Sequence, residues 1–330
     1  MAGPWNPAAV LRMARTLNLD PRMETSLAPY SSMRIGGPAE VLATVRRATD
    51  LARLAACAQA EGQFPFVLGG GSNTLILDDG IPGLTVLNLC REVVFDPRPD
   101  GVLVRADSGM PLAQLARLTI QKGLTGLEWA VSVPGTVGGA VVGNAGAHGS
   151  DTAQNLVAAE VAMPEQGPEW LPVQELDLAY RDSTLKRTAA NRRVPPAPVI
   201  RARFRLLPGN PERIRATAKA NLDHRRRSQP VLPSLGSTFR NPPNGFAGAL
   251  IEQAGCKNLR CGTVGVDTLH ANFLVNLGKP GTGRAADVLK LMTTVQVRVR
   301  NETGIWLKPE IGLAGREADR YTAALLDPSA

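Results

Sequence analysis

Between Gly126 and Gly149 the chain reads GLEWAVSVPGTVGGAVVGNAGAHG, seven glycines in 24 residues with almost no charge. Glycine lets another group come within van der Waals distance of the backbone. The stretch also carries Val, Ala and Trp129 where a linker would carry Ser, Lys or Glu, so it reads as buried. Inward-facing N–H groups need acceptors, and a phosphate or a flat heterocycle supplies them. A tightly turned core segment without a ligand accounts for the glycines as well. A second such stretch, Gly69, Gly70, Gly71, Ser72 and Asn73, follows the apolar run Phe64–Leu68. A strand that runs into three glycines and two small polar side chains binds a pyrophosphate through main-chain donors, although a tight hairpin has the same composition. Neither GxGxxG nor a glycine loop ending in GKS or GKT is present, so the Rossmann and P-loop patterns do not apply. Tyr180–Lys186 (YRDSTLK), Arg225–Arg227, Gly236–Asn241 (GSTFRN, two hydroxyls beside Arg240) and Pro309-Glu310 hold the other side chains suited to chemistry.

The composition bounds what these residues serve. With 330 residues, two domains or more are expected. Lys and Arg number 37 against 29 Asp and Glu, a net charge of +8, which favours anionic partners. Only 4% of residues are aromatic, so base stacking is poorly provided for and phosphate handling in a pocket is the better reading than duplex binding. Cys57, Cys90, Cys256 and Cys261 form no CxxC pair, and the histidines are His148, His224 and His270. A reducing compartment and no metal site are expected. Arg12, Arg15 and Arg22 interrupt any signal-like core, and no apolar run approaches the ~18 residues of a membrane span, so a cytoplasmic protein is expected.

The elements that must carry these residues follow from periodicity. Residues 1–28 read as a helical preface without a clear role. Thr49 starts a helix with Leu51, Leu54, Ala55 and Ala58 on one face, closed by Gly62. Leu84–Leu89, Val102–Ala106 and Leu156–Met163 read as strands, and Leu112–Lys122 as a helix between Pro111 and Gly123. In Val199–Leu206 the residues Ile200, Ala202, Phe204 and Leu206 alternate with Arg201, Arg203 and Arg205, a half-buried strand with a basic outer face. Pro208–Pro211 reads as a boundary. Beyond it come helices at 212–228, 247–254 and 285–301, a strand at 272–276, and a tail after Glu310 that reads as dispensable.

Taken in order, RIGGPA (34–39), VLGGGSN (67–73), VPGTVGGAVVGNAGAHG (133–149), YRDS (180–183), GSTFRNP (236–242), HANFLVN (270–276) and Leu307–Glu310 resemble the UDP-N-acetylenolpyruvoylglucosamine reductase family over roughly residues 29–312. The short path from Tyr180 to Gly236, with RRxxQP at Arg226–Pro230, resembles the subclass without the extra tyrosine-bearing loop. The resemblance implies an α+β fold. Its FAD-binding domain is split in two, like that of the vanillyl-alcohol-oxidase (PCMH) flavoproteins, in lobes of about 29–75 and 76–207, and a C-terminal α+β substrate domain spans 208–330. It also implies non-covalent FAD, NADPH as co-substrate, a UDP-sugar substrate, no nucleic-acid partner and a monomer. Flavin contacts fall on Gly69, Gly70, Gly71, Ser72, Asn73, Pro134, Gly135, Thr136, Gly138, Gly139, Asn144 and Gly146.

Substrate contacts fall on Tyr180, Arg240, Asn241 and Arg227, and the family's catalytic arginine, serine and glutamate on Arg181, Ser237 and Glu310. All three are expected at the flavin's reactive edge. Arg181 offers a fork suited to a carboxylate, or is an ordinary ion-paired arginine. Ser237 is a weak acid that serves only a strongly basic acceptor, or it makes a local turn. Glu310 is a proton-holding carboxyl if buried and a solvated carboxylate otherwise. Gly312 departs from the family, which has arginine there; Arg316 or Lys308 is the expected substitute. His148 stands in place of a tyrosine, Gly143 in place of a larger apolar residue, and Leu185 in place of an aromatic. An oxidase of the same flavin fold is an alternative, although GGGSN lacks the histidine used for covalent flavin attachment. A basic nucleic-acid-binding protein is a further one.

Overall fold

The computed structural model describes residues 7–163, 166–243 and 245–327. They divide into two compact units, Met1–Met23 with Val41–Gly70 and Gly83–Arg225, and Glu24–Glu40 with Gly71–Pro82 and Arg226–Ala330. This differs from the linear boundaries expected at 75/76 and 207/208. Segments 24–40 and 71–82 fold with the C-terminal half, and 208–225 folds with the first unit.

In the first unit, Phe66–Leu68 pairs in parallel with Ile81–Asn88, and Pro38–Val45 lies on the other side of Ile81–Asn88. Helix Ala48–Ala60 buries Leu51, Leu54, Ala55 and Ala58 against Val41, Ala43, Val45 and Val86. The preface has a role after all: helix Ala8–Thr16 puts Val10 and Ala14 fully into this same core. A second, antiparallel sheet runs in the order Gly167–Pro172, Leu156–Met163, Val199–Pro208, Gly101–Asp107 and Val93–Arg98. Its inner face buries Val104, Ala106, Ala202, Phe204 and Leu206 with helices Leu112–Gln121 and Val137–Gly143. The basic outer face of Val199–Pro208 is engaged within the protein. Arg201 bridges Asp107 at 3.3 Å and Glu160 at 2.8 Å, Arg203 lies 3.8 Å over the Trp170 ring, and Arg205 pairs with Asp100.

The second unit has the antiparallel order Ser234–Ser237, Phe273–Asn276, Val264–Val266 and Arg260–Cys261. Helix Ala285–Thr303 packs Val288, Leu291, Met292, Val295 and Val299 into its core, the apolar stripe expected from the sequence. The Asp78 carboxylate accepts from Ala285 N and Ala286 N at 2.8 and 3.0 Å, so a segment two hundred residues away caps this helix. Thr74–Ile76 pairs in parallel with Gly312–Ala314, and Met33, Ile35, Leu75 and Leu77 join the core. The tail is therefore not dispensable. It contributes that strand and helix Ala318–Leu326, whose Leu325 is 4% exposed.

Candidate functional site

Each unit holds part of the expected site. In the first, Gly69 and Gly70 leave Phe66–Leu68 and meet the turn at Gly135-Thr136. A Cβ at Gly69 would stand 2.3 Å from Thr136 Oγ1, and one at Gly70 would stand 3.0 Å from Gly135 Cα. Gly69 is held to glycine by the Thr136 side chain and Gly70 by the Gly135 backbone, the close approach that their sequence context left open. Helix Val137–Gly143 begins here, but Val137 N donates to Met110 O at 2.9 Å and Gly138 N to Ser108 O at 2.8 Å. Those two amides already have protein acceptors.

The loop is different. Among the described residues, no carbonyl or side chain accepts from the main-chain N–H of Gly69, Gly70, Gly71, Ser72 or Asn73, whereas Gly71 O and Asn73 O both accept. Gly71 adopts φ +54°, and a Cβ there would meet Tyr30 O at 2.4 Å. A run of main-chain donors without protein acceptors suits an anion. The loop therefore fits the diphosphate of a dinucleotide. Elsewhere in the glycine-rich stretch, Gly143 and Gly149 have open space where a Cβ would meet nothing within 4 Å.

The YRDS segment is a tight turn. Ala179 and Asp182 exchange main-chain hydrogen bonds at 3.1 Å, and Arg181 between them has φ +56°. A left-handed non-glycine residue costs about 1–2 kcal/mol, so the surroundings must hold it. Lys186 Nζ donates to Arg181 O at 3.1 Å, and Arg187 pairs with Asp182 at 2.7 Å. Ser183 Oγ donates to Val142 O at 2.6 Å and accepts from Lys186 N to cap helix Thr184–Arg192. Arg181 Nη2 donates to Gly146 O at 2.7 Å, which ties the guanidinium to the glycine-rich stretch.

Asn144 ends helix Val137–Gly143 at φ +40°. Its side chain donates to Asp151 and Ala179 O and accepts from Ala153 N, so it joins three loops. Tyr180 is 54% exposed with Arg181 over its ring at 5.3 Å. His148 meets His224 edge-on at 5.3 Å, and burial, His224 and Arg225 together push its pKa below the ordinary value. Leu185 is buried in the core, as expected of a packing position.

In the second unit, Ser237 and Glu310 are brought together. Ser237 ends strand Ser234–Ser237 opposite Phe273, and Gly236 before it takes φ +77° with open space around its Cα. Glu310 N donates to Thr238 O at 2.8 Å, Arg240 N donates to Lys308 O at 2.9 Å, and Phe239 bridges Pro309. The Ser237–Arg240 and Lys308–Glu310 segments thus run side by side. Asn73 Nδ2 donates to Glu310 O at 3.4 Å. Asn241 Oδ1 accepts from Ala247 N and starts helix Ala247–Gln253, while Arg227 is exposed. Gly312 is not required by its backbone: a Cβ would touch only Asn73 O at 3.7 Å and Thr74 Oγ1 at 3.9 Å. The two expected substitutes, Lys308 and Arg316, are both exposed.

Sequence reasoning assigned no role to Asn272, which holds this edge. Its Oδ1 accepts from Phe239 N at 2.9 Å, its Nδ2 donates to Phe239 O at 2.8 Å, and its main-chain O accepts from Thr238 N. It lay in the quoted HANFLVN motif, so the signal was present without a geometry to interpret it. His270 packs on the Phe273 ring at 4.7 Å, and burial pushes its pKa down. Among the described residues, no group of His, Cys, Asp or Glu is arranged to hold a metal, and no helix is long and apolar enough to cross a membrane.

Comparison with known proteins covers both units. Residues 39–167 match the model of an FAD binding domain, and residues 228–314 match that of the UDP-N-acetylenolpyruvoylglucosamine reductase C-terminal domain. The chain is 42% identical over 305 residues to the UDP-N-acetylenolpyruvoylglucosamine reductase of Prochlorococcus marinus, covering 91% of this chain and 95% of that one. It is 40% identical over 298 residues to that of Rubrobacter xylanophilus, covering 89% and 95%. Among solved structures, the UDP-N-acetylenolpyruvylglucosamine reductase of Thermus caldophilus superposes with a TM-score of 0.72 at 32% identity, covering 90% of this chain and 98% of that one.

Proposed function

Because the chain belongs to the UDP-N-acetylenolpyruvoylglucosamine reductase family, we infer that it is an FAD-dependent oxidoreductase that uses NADPH to convert UDP-N-acetylenolpyruvoylglucosamine to UDP-N-acetylmuramate, a peptidoglycan precursor. The observation that carries this reading is agreement over nearly the whole length of both chains, 91% and 95%, and not one shared motif.

The residues of the chain divide the work. The N–H groups from Gly69 to Asn73 bind the FAD diphosphate, and Pro134 to Gly146 line the cofactor with little side-chain bulk. FAD, when bound, would supply the hydride-transfer chemistry between NADPH and C3 of the enolpyruvyl group. Negative charge then develops at C2 and in the neighbouring carboxylate, so the protein must offer a cation and a proton. Arg181 is the cation: its planar guanidinium fork suits a carboxylate, and its bond to Gly146 O fixes its orientation. Ser237 gives the proton to C2. A hydroxyl is sufficient because the carbanion-like acceptor is strongly basic. Glu310, beside the segment that carries Ser237, faces the substrate carboxylate. Tyr180, Arg227, Arg240 and Asn241 take the uridine diphosphate. The protein acts as a cytoplasmic monomer.

The test separates the two half-reactions. Purified protein is expected to be yellow and to bleach with NADPH. Ser237→Ala should bleach normally and reoxidise with the enolpyruvyl substrate about 10²–10⁴-fold more slowly. Normal reoxidation in that variant removes Ser237 from its role. Failure of the unaltered protein to reoxidise with this substrate rejects the whole reading.

A further inference from the structure

One fully buried polar side chain in the second unit has no part in the chemistry assigned above. Gln296 lies on the apolar stripe of helix Ala285–Thr303, four residues after Met292 and between Val295 and Val299 in register, at 0% exposure. Its Nε2 donates to two carbonyls from separate segments, Leu307 O and Leu325 O, each at 2.7 Å. Two carbonyl neighbours fix the NH2 end of the amide toward them. The other end, Oε1, is buried without a hydrogen-bond partner. Leu325 O also accepts from Trp306 Nε1 at 3.0 Å.

An apolar residue would remove the unpaired Oε1 but would leave the buried Leu307 O without its donor, so the glutamine is explained by the two carbonyls it binds and not by core packing. What the amide accomplishes is a connection. It holds Leu307 three residues before Glu310, and it anchors that segment to the last turn of helix Ala318–Leu326. The same segment continues through the Arg240 N to Lys308 O and Glu310 N to Thr238 O bonds to the strand bearing Ser237.

We propose that Gln296 is a positioning residue, which, with the C-terminal helix it anchors, sets the Leu307–Glu310 segment so that Glu310 and Ser237 are aligned for protonation of the substrate. This rests on the roles proposed above for Ser237 and Glu310. It predicts a defect confined to the half-reaction that uses them.

The experiment is anaerobic stopped-flow on the full-length flavoprotein with Gln296→Leu and Gln296→Glu, following flavin reduction by NADPH and reoxidation by the enolpyruvyl substrate separately. Gln296→Leu is expected to slow the reoxidation step about ten-fold or more. Flavin reduction and the substrate concentration at half-saturation should stay within about twofold of the unaltered protein. Gln296→Glu, as a buried neutral acid, retains one donor and should fall between the two. Its reoxidation rate should drop further as pH rises, because an ionised carboxylate has no hydrogen to donate.

Reoxidation within about twofold of the unaltered protein in both variants overturns the proposal, and so does an equal fall in both half-reactions, the mark of general loosening. If Gln296→Leu does not fold, the pH profile of Gln296→Glu decides alone, and a profile parallel to the unaltered protein counts against it. Failure of the unaltered protein to reoxidise with this substrate would instead reject the functional reading itself.

Discussion

The two units hold their shares of the candidate site by opposite means. In the first, Gly69 and Gly70 leave no room for a Cβ against Thr136 and Gly135, and Arg181 and Asn144 adopt positive φ between neighbours that pin them. Close approach and backbone conformation set that geometry. In the second, the Ser237–Arg240 and Lys308–Glu310 segments lie side by side under the control of two buried amides, Asn272 on one segment and Gln296 on the other. A cradle for a large, flat cofactor gains from the absence of side chains, since every added atom displaces ligand. A proton-delivering edge needs directional groups held at a fixed distance, which side-chain hydrogen bonds supply. Substitutions should therefore fail sterically in one unit and by lost alignment in the other.

The largest effect on this contrast is expected at Asn272. Asn272→Ala leaves Phe239 N–H and C=O buried and unpaired, at about 1–3 kcal/mol each. Thermal denaturation should register a loss of about 2–5 kcal/mol, and substrate-dependent reoxidation should fall with it. Flavin reduction by NADPH should continue in whatever protein stays folded. A loss of flavin binding before any loss of substrate turnover would erase the distinction between the units.

Gly69→Ala attacks the other side. The added methyl stands 2.3 Å from Thr136 Oγ1, and overpacking of this kind costs about 1–3 kcal/mol. Flavin affinity should fall, measured by absorbance after gel filtration. Trimming the obstacle with Thr136→Ala should restore part of it, so the two changes should couple by about 0.5–3 kcal/mol in a double-mutant cycle. Strict additivity would mean that Gly69 serves something other than this contact.

These differences also explain what was legible beforehand. Local periodicity identified helix Ala48–Ala60 with its Gly62 stop, strand Leu156–Met163 and the inward stripe of Ala285–Thr303, because each is written within a few turns of chain. Ordered short motifs identified the family, and the model matches and relatives agree with it. Non-local pairing was not legible. Nothing local in Thr74–Ile76 announces a partner at Gly312–Ala314, so a linear reading keeps residues 71–82 with the segments beside them in sequence. The tail was misjudged for a related reason. Besides its buried side chain, Leu325 contributes a carbonyl that accepts from Gln296 and Trp306, and side-chain patterns carry no record of that. The positive φ of Arg181 was equally hidden, because arginine has no preference for that conformation.

The smallest expected effect is the most discriminating within the glycine-rich stretch. Gly143 ends helix Val137–Gly143, and a Cβ there would meet nothing within 4 Å. Unlike Gly69, it has neither a close neighbour nor a positive φ that demands glycine. Gly143→Ala restricts the unfolded chain at no steric cost and should stabilise the flavin-free protein by about 0.4–1 kcal/mol. On a chain of this size that is a rise of about 1–4 °C in Tm. Flavin affinity should stay within about twofold if the open space faces solvent. A variant that melts higher without flavin yet binds it distinctly more weakly would assign that space to the cofactor. Gly143 would then join Gly69 as a position where an absent side chain is part of the site.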